Sequence, residues 1–283
     1  MRLILALLQT VSPSFLAENS RIELGCAIQG GLSVNFAGVH SMPGISLHSV
    51  RCENTTAQVG RVYMDPTSPF TDSISQFMIL YPHRSLVIRP TSPEALCYMG
   101  QMSYTESLLE DKYAVQARID LLDVATETPL ERVSFDSVIP FTIDFSSGFD
   151  IVPNDILDRI QDVVSEYQPI GFIRSYQTTG FGQSPSTRSF QFVCGSDYIL
   201  DQLPIVQYTI MSSSDATQPL TIVRLYPRDY IAADLNASIC KSKIRSLVAL
   251  RDSGGVFGMP FISHTAIYID ITNGVRIGFG EPL

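Results

Sequence analysis

The chain has 283 residues, enough for one large or two modest domains with a sizeable core, so disulfide staples are optional. Acidic residues outnumber basic ones 28 to 19, and the formal net charge of −9 excludes a role in binding nucleic acid or anionic lipid. At 45% hydrophobic and 17% charged residues, with 18 Gly and 17 Pro, the chain is too apolar for disorder and too punctuated for a helix bundle. The expectation is a mostly β globule.

Met1 and Arg2 precede the apolar run of residues 3–8, and Ala17 offers a cleavage position, so residues 1–17 read as a signal peptide. The run is short and Phe15 stands where a small residue is wanted, which leaves a buried strand as the competing reading. No apolar run reaches bilayer-spanning length, so no integral membrane segment is expected. Two Asn-x-Ser/Thr sequons, at Asn54 and Asn236, agree with passage through the secretory pathway as glycosylation sites. The five cysteines (Cys26, Cys52, Cys97, Cys194, Cys240) contain no Cys-x-x-Cys pair, and the four histidines are scattered. Neither a metal site nor a cofactor is therefore assigned.

Alternation of period two marks a half-buried strand over 113–121, where Tyr113, Val115, Ala117, Ile119 and Leu121 face one way and Gln116, Arg118 and Asp120 the other. Shorter runs of the same kind fall at 32–36, 76–81, 85–88, 190–194, 205–210, 220–225, 266–271 and 275–279, between clusters of Gly, Pro, Asn and Ser. One segment is helical. After Pro153, Ile156, Leu157, Ile160, Val163 and Val164 recur at helical spacing, acids line the opposite face, and Asn154 or Asp155 can cap. The polar stretches 178–187 and 212–218 read as surface loops. Gly180-Phe181-Gly182 has neither the Lys nor the following helix of a phosphate loop, and no Gly-x-Ser-x-Gly elbow occurs.

The informative segment runs Pro140-Phe141-Thr142-Ile143-Asp144-Phe145-Ser146-Ser147-Gly148-Phe149-Asp150-Ile151-Val152-Pro153 and leads into the helix. An acid ends an apolar strand, small hydroxyl residues follow it, and a Pro comes nine residues after the acid. This resembles the second active-site strand of the pepsin-like aspartic proteases, which reads Asp-Thr-Gly-Thr/Ser-Ser after two apolar residues. On that match Asp144 takes the place of the second catalytic aspartate, and Ser147 keeps a supporting hydroxyl. Further segments follow in the family's order. Tyr98-Met99-Gly100-Gln101-Met102-Ser103-Tyr104 is similar to the stretch joining the lobes, and Leu203-Pro204-Ile205 and Leu225-Tyr226-Pro227-Arg228-Asp229-Tyr230-Ile231 match two later segments. Gly255-Val256-Phe257-Gly258 resembles the Gly-bearing strand that threads the active-site loop from behind, and Tyr268-Ile269-Asp270 and Val275-Arg276-Ile277-Gly278-Phe279 the closing strands. The resemblance implies a disulfide between Cys194 and Cys240.

The resemblance spans residues 75–283 and extends weakly over 31–64, where Gly60-Arg61-Val62-Tyr63-Met64 puts Tyr where the family has Gly. It implies a bilobal pepsin-like fold divided into residues 1–17, a truncated N-terminal lobe with inter-lobe strands over 18–107, and a complete C-terminal lobe over 108–283. No Asp precedes Asp65, so the family's first Asp-Thr-Gly has no counterpart. Around Asp144, Phe145 replaces Thr, and Ser146 replaces the Gly that lets backbone N–H groups approach the carboxylate. Aspartic proteolysis needs two carboxylates sharing one proton. The expectation is therefore a catalytically inactive relative, secreted or vacuolar, that binds a peptide or protein in its inter-lobe cleft or acts as an inhibitor. The alternatives are an active endopeptidase, if an N-terminal segment is missing or two copies pair their aspartates as a homodimer, and a secreted β-rich adhesive domain. Asp150 and Asp155 read as a surface turn and a helix cap. Tyr98, Tyr104 and Tyr113 read as core.

Overall fold

A computed structural model describes residues 20–23, 33–35, 46–52, 55–61, 76–80, 85–88, 93, 97 and 101–281, apart from 110–111, 135–137, 146, 168–170, 178–186, 194–199, 235–237 and 248–253. The signal-peptide reading of 1–17, the sequon asparagines Asn54 and Asn236, Cys194, Tyr98 and the Gly180-Phe181-Gly182 turn lie outside them. The first strands are β1 (Ser20–Glu23), β2 (Ser33–Asn35), β3 (Ser46–Cys52), β4 (Thr55–Arg61), β5 (Gln76–Leu80), β6 (Ser85–Ile88) and β7 (Ser103–Glu106). Next come β8 (Ala114–Leu122), β9 (Pro129–Ser134), β10 (Ile139–Ile143), β11 (Asp150–Ile151), helix α1 (Asn154–Tyr167), β12 (Ile173–Gln177), β13 (Thr187–Val193), β14 (Ile205–Met211) and β15 (Pro219–Leu225). The chain continues through the short helix α2 (Pro227–Tyr230), β16 (Ile231–Asp234), β17 (Ile239–Ser242), β18 (Ile244–Leu247) and β19 (Gly255–Phe257). It ends with the short helix α3 (Met259–Ile262), β20 (Ala266–Asp270) and β21 (Arg276–Gly280).

Among the described residues the strands form three sheets. A six-stranded sheet has the order β1-β6-β5-β20-β21-β7, so strands from both ends of the chain lie side by side in it. The largest sheet runs β15-β14-β8-β10-β19-β11-β18-β13-β17-β16, with β9 beside β8 and β12 beside β13. β2, β4 and β3 form the third. The chain is mostly β, as its composition implies.

Period-two alternation places β8. Val115, Ala117, Ile119 and Leu121 enter the core, while Gln116 and Arg118 stay part-exposed. Asp120 departs from the pattern and is buried, because β14 and β9 flank it and the Arg118 guanidinium reaches it at 3.2 Å. β14, which the sequence places at 205–210, has every residue buried between β8 and β15. The helix forms over Asn154–Tyr167, and all five of its spaced apolar residues are buried. Asn154 Oδ1 accepts from Ser246 at 2.8 Å and from Arg188 at 3.1 Å, which ties the helix start to β18 and β13.

The connection that organises the larger sheet joins β10, β19 and β11. β19 pairs parallel with β10 (Phe141 to Gly255) and antiparallel with β11 (Ile151 to Val256). The chain leaves β10, turns through residues 144–149 and returns as β11, and β19, more than a hundred residues later, fills the gap between them. This gap admits little beyond backbone. A Cβ on Gly258 would stand 2.3 Å from the Phe149 carbonyl oxygen and 2.9 Å from that of Ser147, and backbone cannot move aside as a flexible side chain can. Phe141, Phe257 and Phe261 stack in series behind the crossing, with centroid separations of 4.3 and 3.8 Å. We expect Gly258→Ala to destabilise the fold by about 1–3 kcal/mol through overpacking, read as a lowered urea midpoint. An unchanged midpoint would show that the turn tolerates a methyl group at this position.

Candidate functional site at the Asp144 turn

Asp144 follows the last residue of β10. Its N–H donates to Phe257 O at 2.9 Å, so the crossing strand sets its backbone, and its own carbonyl accepts the Ser147 N–H at 3.1 Å. The side chain is part-exposed. Phe145, at the position where the resembled motif has Thr, turns into the core at 3% exposure and packs against Tyr113 with ring centroids 6.1 Å apart. The ring anchors the turn by burial where a hydroxyl would have done so by hydrogen bonding. The Ser147 hydroxyl donates to Phe149 O at 2.5 Å and accepts the Phe149 N–H at 3.4 Å, while Ser147 O accepts the Met259 N–H at 2.9 Å. Ser147 therefore braces the turn backbone and fastens it to α3.

Asp150 overturns the reading of a surface turn. It is fully buried, and the Gly258 N–H donates to its Oδ1 at 2.8 Å. The Phe261 N–H reaches the same oxygen at 3.4 Å and the Tyr208 hydroxyl reaches Oδ2 at 3.2 Å. Burial raises its pKa to about 7, against the Gly258, Phe261 and Tyr208 hydrogen bonds and the Lys243 charge, which lower it. The Tyr208 phenol is pushed well above its ordinary value by burial and by the neighbouring carboxylate. Sequence spacing hides this role because every donor comes from residues remote in the chain. Asp155, by contrast, lies exposed in the first turn of α1, where an acid suits the helix dipole.

The other predicted core aromatics behave as expected where they are described. Tyr113 is buried, and Tyr104 packs edge-on against Tyr268 with the Arg276 guanidinium 4.0 Å from its ring centre. Cys240 is buried on β17 and disulfide-bonded, and Cys97 is buried, its thiol 3.8 Å from the Pro93 carbonyl oxygen. A second constellation lies apart from the crossing, in an open cavity of about 520 Å³ lined by residues that include Asp201, Tyr226, Arg228, Asp229 and His264. There His264 Nε2 pairs with Asp229 at 3.2 Å. Burial raises the Asp229 carboxyl, but the His264 hydrogen bond and charge, with Tyr226 N–H and Lys243, hold it below its ordinary value overall. Among the described residues, no group of three or more His, Cys, Asp or Glu could hold a metal ion. No helix among them is long and apolar enough to cross a membrane.

No family model and no curated protein matches the chain. Among solved structures, the chain is similar to basic 7S globulin from soybean, with a TM-score of 0.52 at 12% identity over 79% of this chain. The match spans 57% of that protein's length. Identity this low shows the fold alone: a β-rich architecture with large sheets, shared with that globulin.

The anchoring role of Phe145 is testable. Phe145→Ala should cost about 3–5 kcal/mol, the range for a buried aromatic, measured by denaturant unfolding. A cost under about 1 kcal/mol would show that the turn holds without the ring.

Proposed function

We propose that this chain is a pepsin-like fold protein without catalytic activity, which binds a peptide or protein ligand in the cleft between its lobes or inhibits such a partner. The observation that carries this reading is the turn itself: Asp144 ends β10 and β19 runs beside it, which supports the resemblance to an aspartic-protease active-site loop with Asp144 as its carboxylate. Water activation in that chemistry uses one carboxylate as base while its partner donates to the scissile carbonyl, and one Asp cannot hold both roles. Phe145 in place of the Thr, and Ser147 committed to Phe149, remove hydroxyls that would support a catalytic carboxylate. The fold neighbour is named as a globulin and not as a peptidase, which agrees with this reading.

The lobe division proposed is 18–107 and 108–283, with β20 and β21 returning to join β1, β5, β6 and β7 in the six-stranded sheet between the lobes. Cys240 is assigned Cys194 as its partner: β13, described to Val193, pairs with the strand that carries Cys240, with Val193 opposite Ile239. Such a bridge, the sequons at Asn54 and Asn236 and the acidic pI of about 4.9 suit a secreted or vacuolar protein.

Two measurements test the proposal. Incubated with a denatured protein across the acid range, the purified chain should release no new peptides, and Asp144→Asn should leave both this result and binding of any captured partner unchanged. Pepstatin-sensitive cleavage that Asp144→Asn abolishes would overturn the reading in favour of an active enzyme, assembled from two copies if activity rises with the square of concentration. A non-reducing peptide map should recover Cys194 joined to Cys240, and Cys240 found joined to any other cysteine would contradict the assigned topology.

A further inference from the structure

The hairpin joining β20 to β21 has firmly held shoulders and an open tip. Its strands stay in register up to Asp270 opposite Arg276, and each is paired on its other side, β20 with β5 and β21 with β7. The Asp270 carboxylate accepts the Thr272 N–H at 2.9 Å, and the Val275 carbonyl accepts the Ser107 N–H at 2.7 Å. At the tip, Thr272, Asn273 and Gly274 are exposed, and the bridge there is local, between Thr272 and Gly274. Gly274 has a φ of +104°, and a Cβ built on it would meet nothing within 4 Å. Glycine is thus required here by the backbone conformation and not by packing. The chain has six asparagines, and Asn273 alone precedes a glycine. Asn154 is the contrasting case: its backbone is set by the start of α1, its Oδ1 accepts from Ser246 and Arg188, and its Nδ2 reaches Leu247 O at 3.5 Å. No described residue bonds the Asn273 side chain in this way.

We propose that Asn273-Gly274 is a site of spontaneous covalent modification, at which the folded chain converts Asn273 to aspartate and isoaspartate through a succinimide. The Gly274 backbone nitrogen attacks the Asn273 side-chain amide carbon. A bond forms between them, the bond from that carbon to the amide nitrogen breaks, and ammonia leaves with the Gly274 N–H proton. Water then opens the five-membered ring: attack at the side-chain carbonyl gives aspartate, and attack at the main-chain carbonyl gives isoaspartate. One water is consumed and one ammonia released. Three features favour the step at this place. No side chain at 274 shields the attacking nitrogen, the exposed tip admits water, and a glycine changes φ at little steric cost, so the tip can swing into the ring-closing geometry. The product adds one carboxylate to a chain of formal net charge −9, close in sequence to Arg276, whose guanidinium lies 4.0 Å from the Tyr104 ring centre. Isoaspartate also lengthens the main chain by one carbon. The pairing of Asp270 with Arg276 confines that slack to residues 271–275, so both strands keep their neighbours. The site is independent of whether the cleft binds a ligand.

The test ages the purified folded protein in mildly alkaline buffer until a control sample, unfolded in guanidinium chloride, has converted at Asn273. Peptide mapping by mass spectrometry then follows the mass gain of an amide-to-acid conversion at each asparagine. In the folded protein the Asn273 peptide should show the gain as well, resolved by chromatography into two forms of equal mass, while Asn154 stays intact. Isoelectric focusing should show a new, more acidic species that does not form in Asn273→Gln, whose longer side chain disfavours the five-membered ring. An Asn273 that remains intact in the folded protein, conversion of Asn154 as fast as Asn273, or an acidic species that persists in Asn273→Gln would overturn the proposal.

Discussion

The structure depends on one insertion, that of β19 between β10 and β11. Parallel pairing with β10 on one side and antiparallel pairing with β11 on the other hold this three-residue strand in the sheet and bring residues 255–257 against 141–143. The Asp144 N–H on Phe257 O, the Met259 N–H on Ser147 O and the Gly258 N–H on Asp150 all follow from that placement. Loss of the insertion would orphan several buried polar groups together, each costing roughly 1–3 kcal/mol. The steric requirement at Gly258 and the stacked Phe141, Phe257 and Phe261 serve the same end, because a thin backbone crossing needs rigid apolar support behind it.

On this support the turn presents a carboxylate. Its neighbours hold the loop: Phe145 is buried against Tyr113, and the Ser147 hydroxyl donates to the Phe149 carbonyl. The perturbed acid of this region is Asp150, six residues further on, and it is sealed from solvent. Perturbed carboxyls are often signs of chemistry. Here burial beneath the crossing makes the perturbation a matter of fold stability instead.

Much of this was legible in the sequence. The helix after Pro153 and the strand β8 stood out because their apolar residues repeat at the period of a one-faced element, and the Gly-bearing segment at 255–258 could be placed by its order among the motifs. Other elements carried no such signal. The first residues of β13, Thr187-Arg188-Ser189, are polar because Arg188 faces Asp158 and Asn154 of α1, so apolar alternation begins only at Phe190. β3 and β4 are rich in Ser, Thr, Arg and Gln and show little apolar alternation. Asp150 was misplaced for a different reason. An acid next to Gly148-Phe149 has the composition of a turn, and its donors Tyr208, Gly258 and Phe261 are separated from it by 58 to 111 residues. Its one local signal was the apolar pair Ile151-Val152 that follows, which continues a strand and not a loop.

The most direct test of the threaded crossing is amide hydrogen exchange. The N–H groups of Asp144, Gly258 and Met259 are each bonded across the crossing, so they should exchange among the slowest in the chain, at a rate set by global unfolding and together. If instead they exchanged as fast as the exposed turn amides of residues 125–127, the crossing would not be the constraint on which the fold depends.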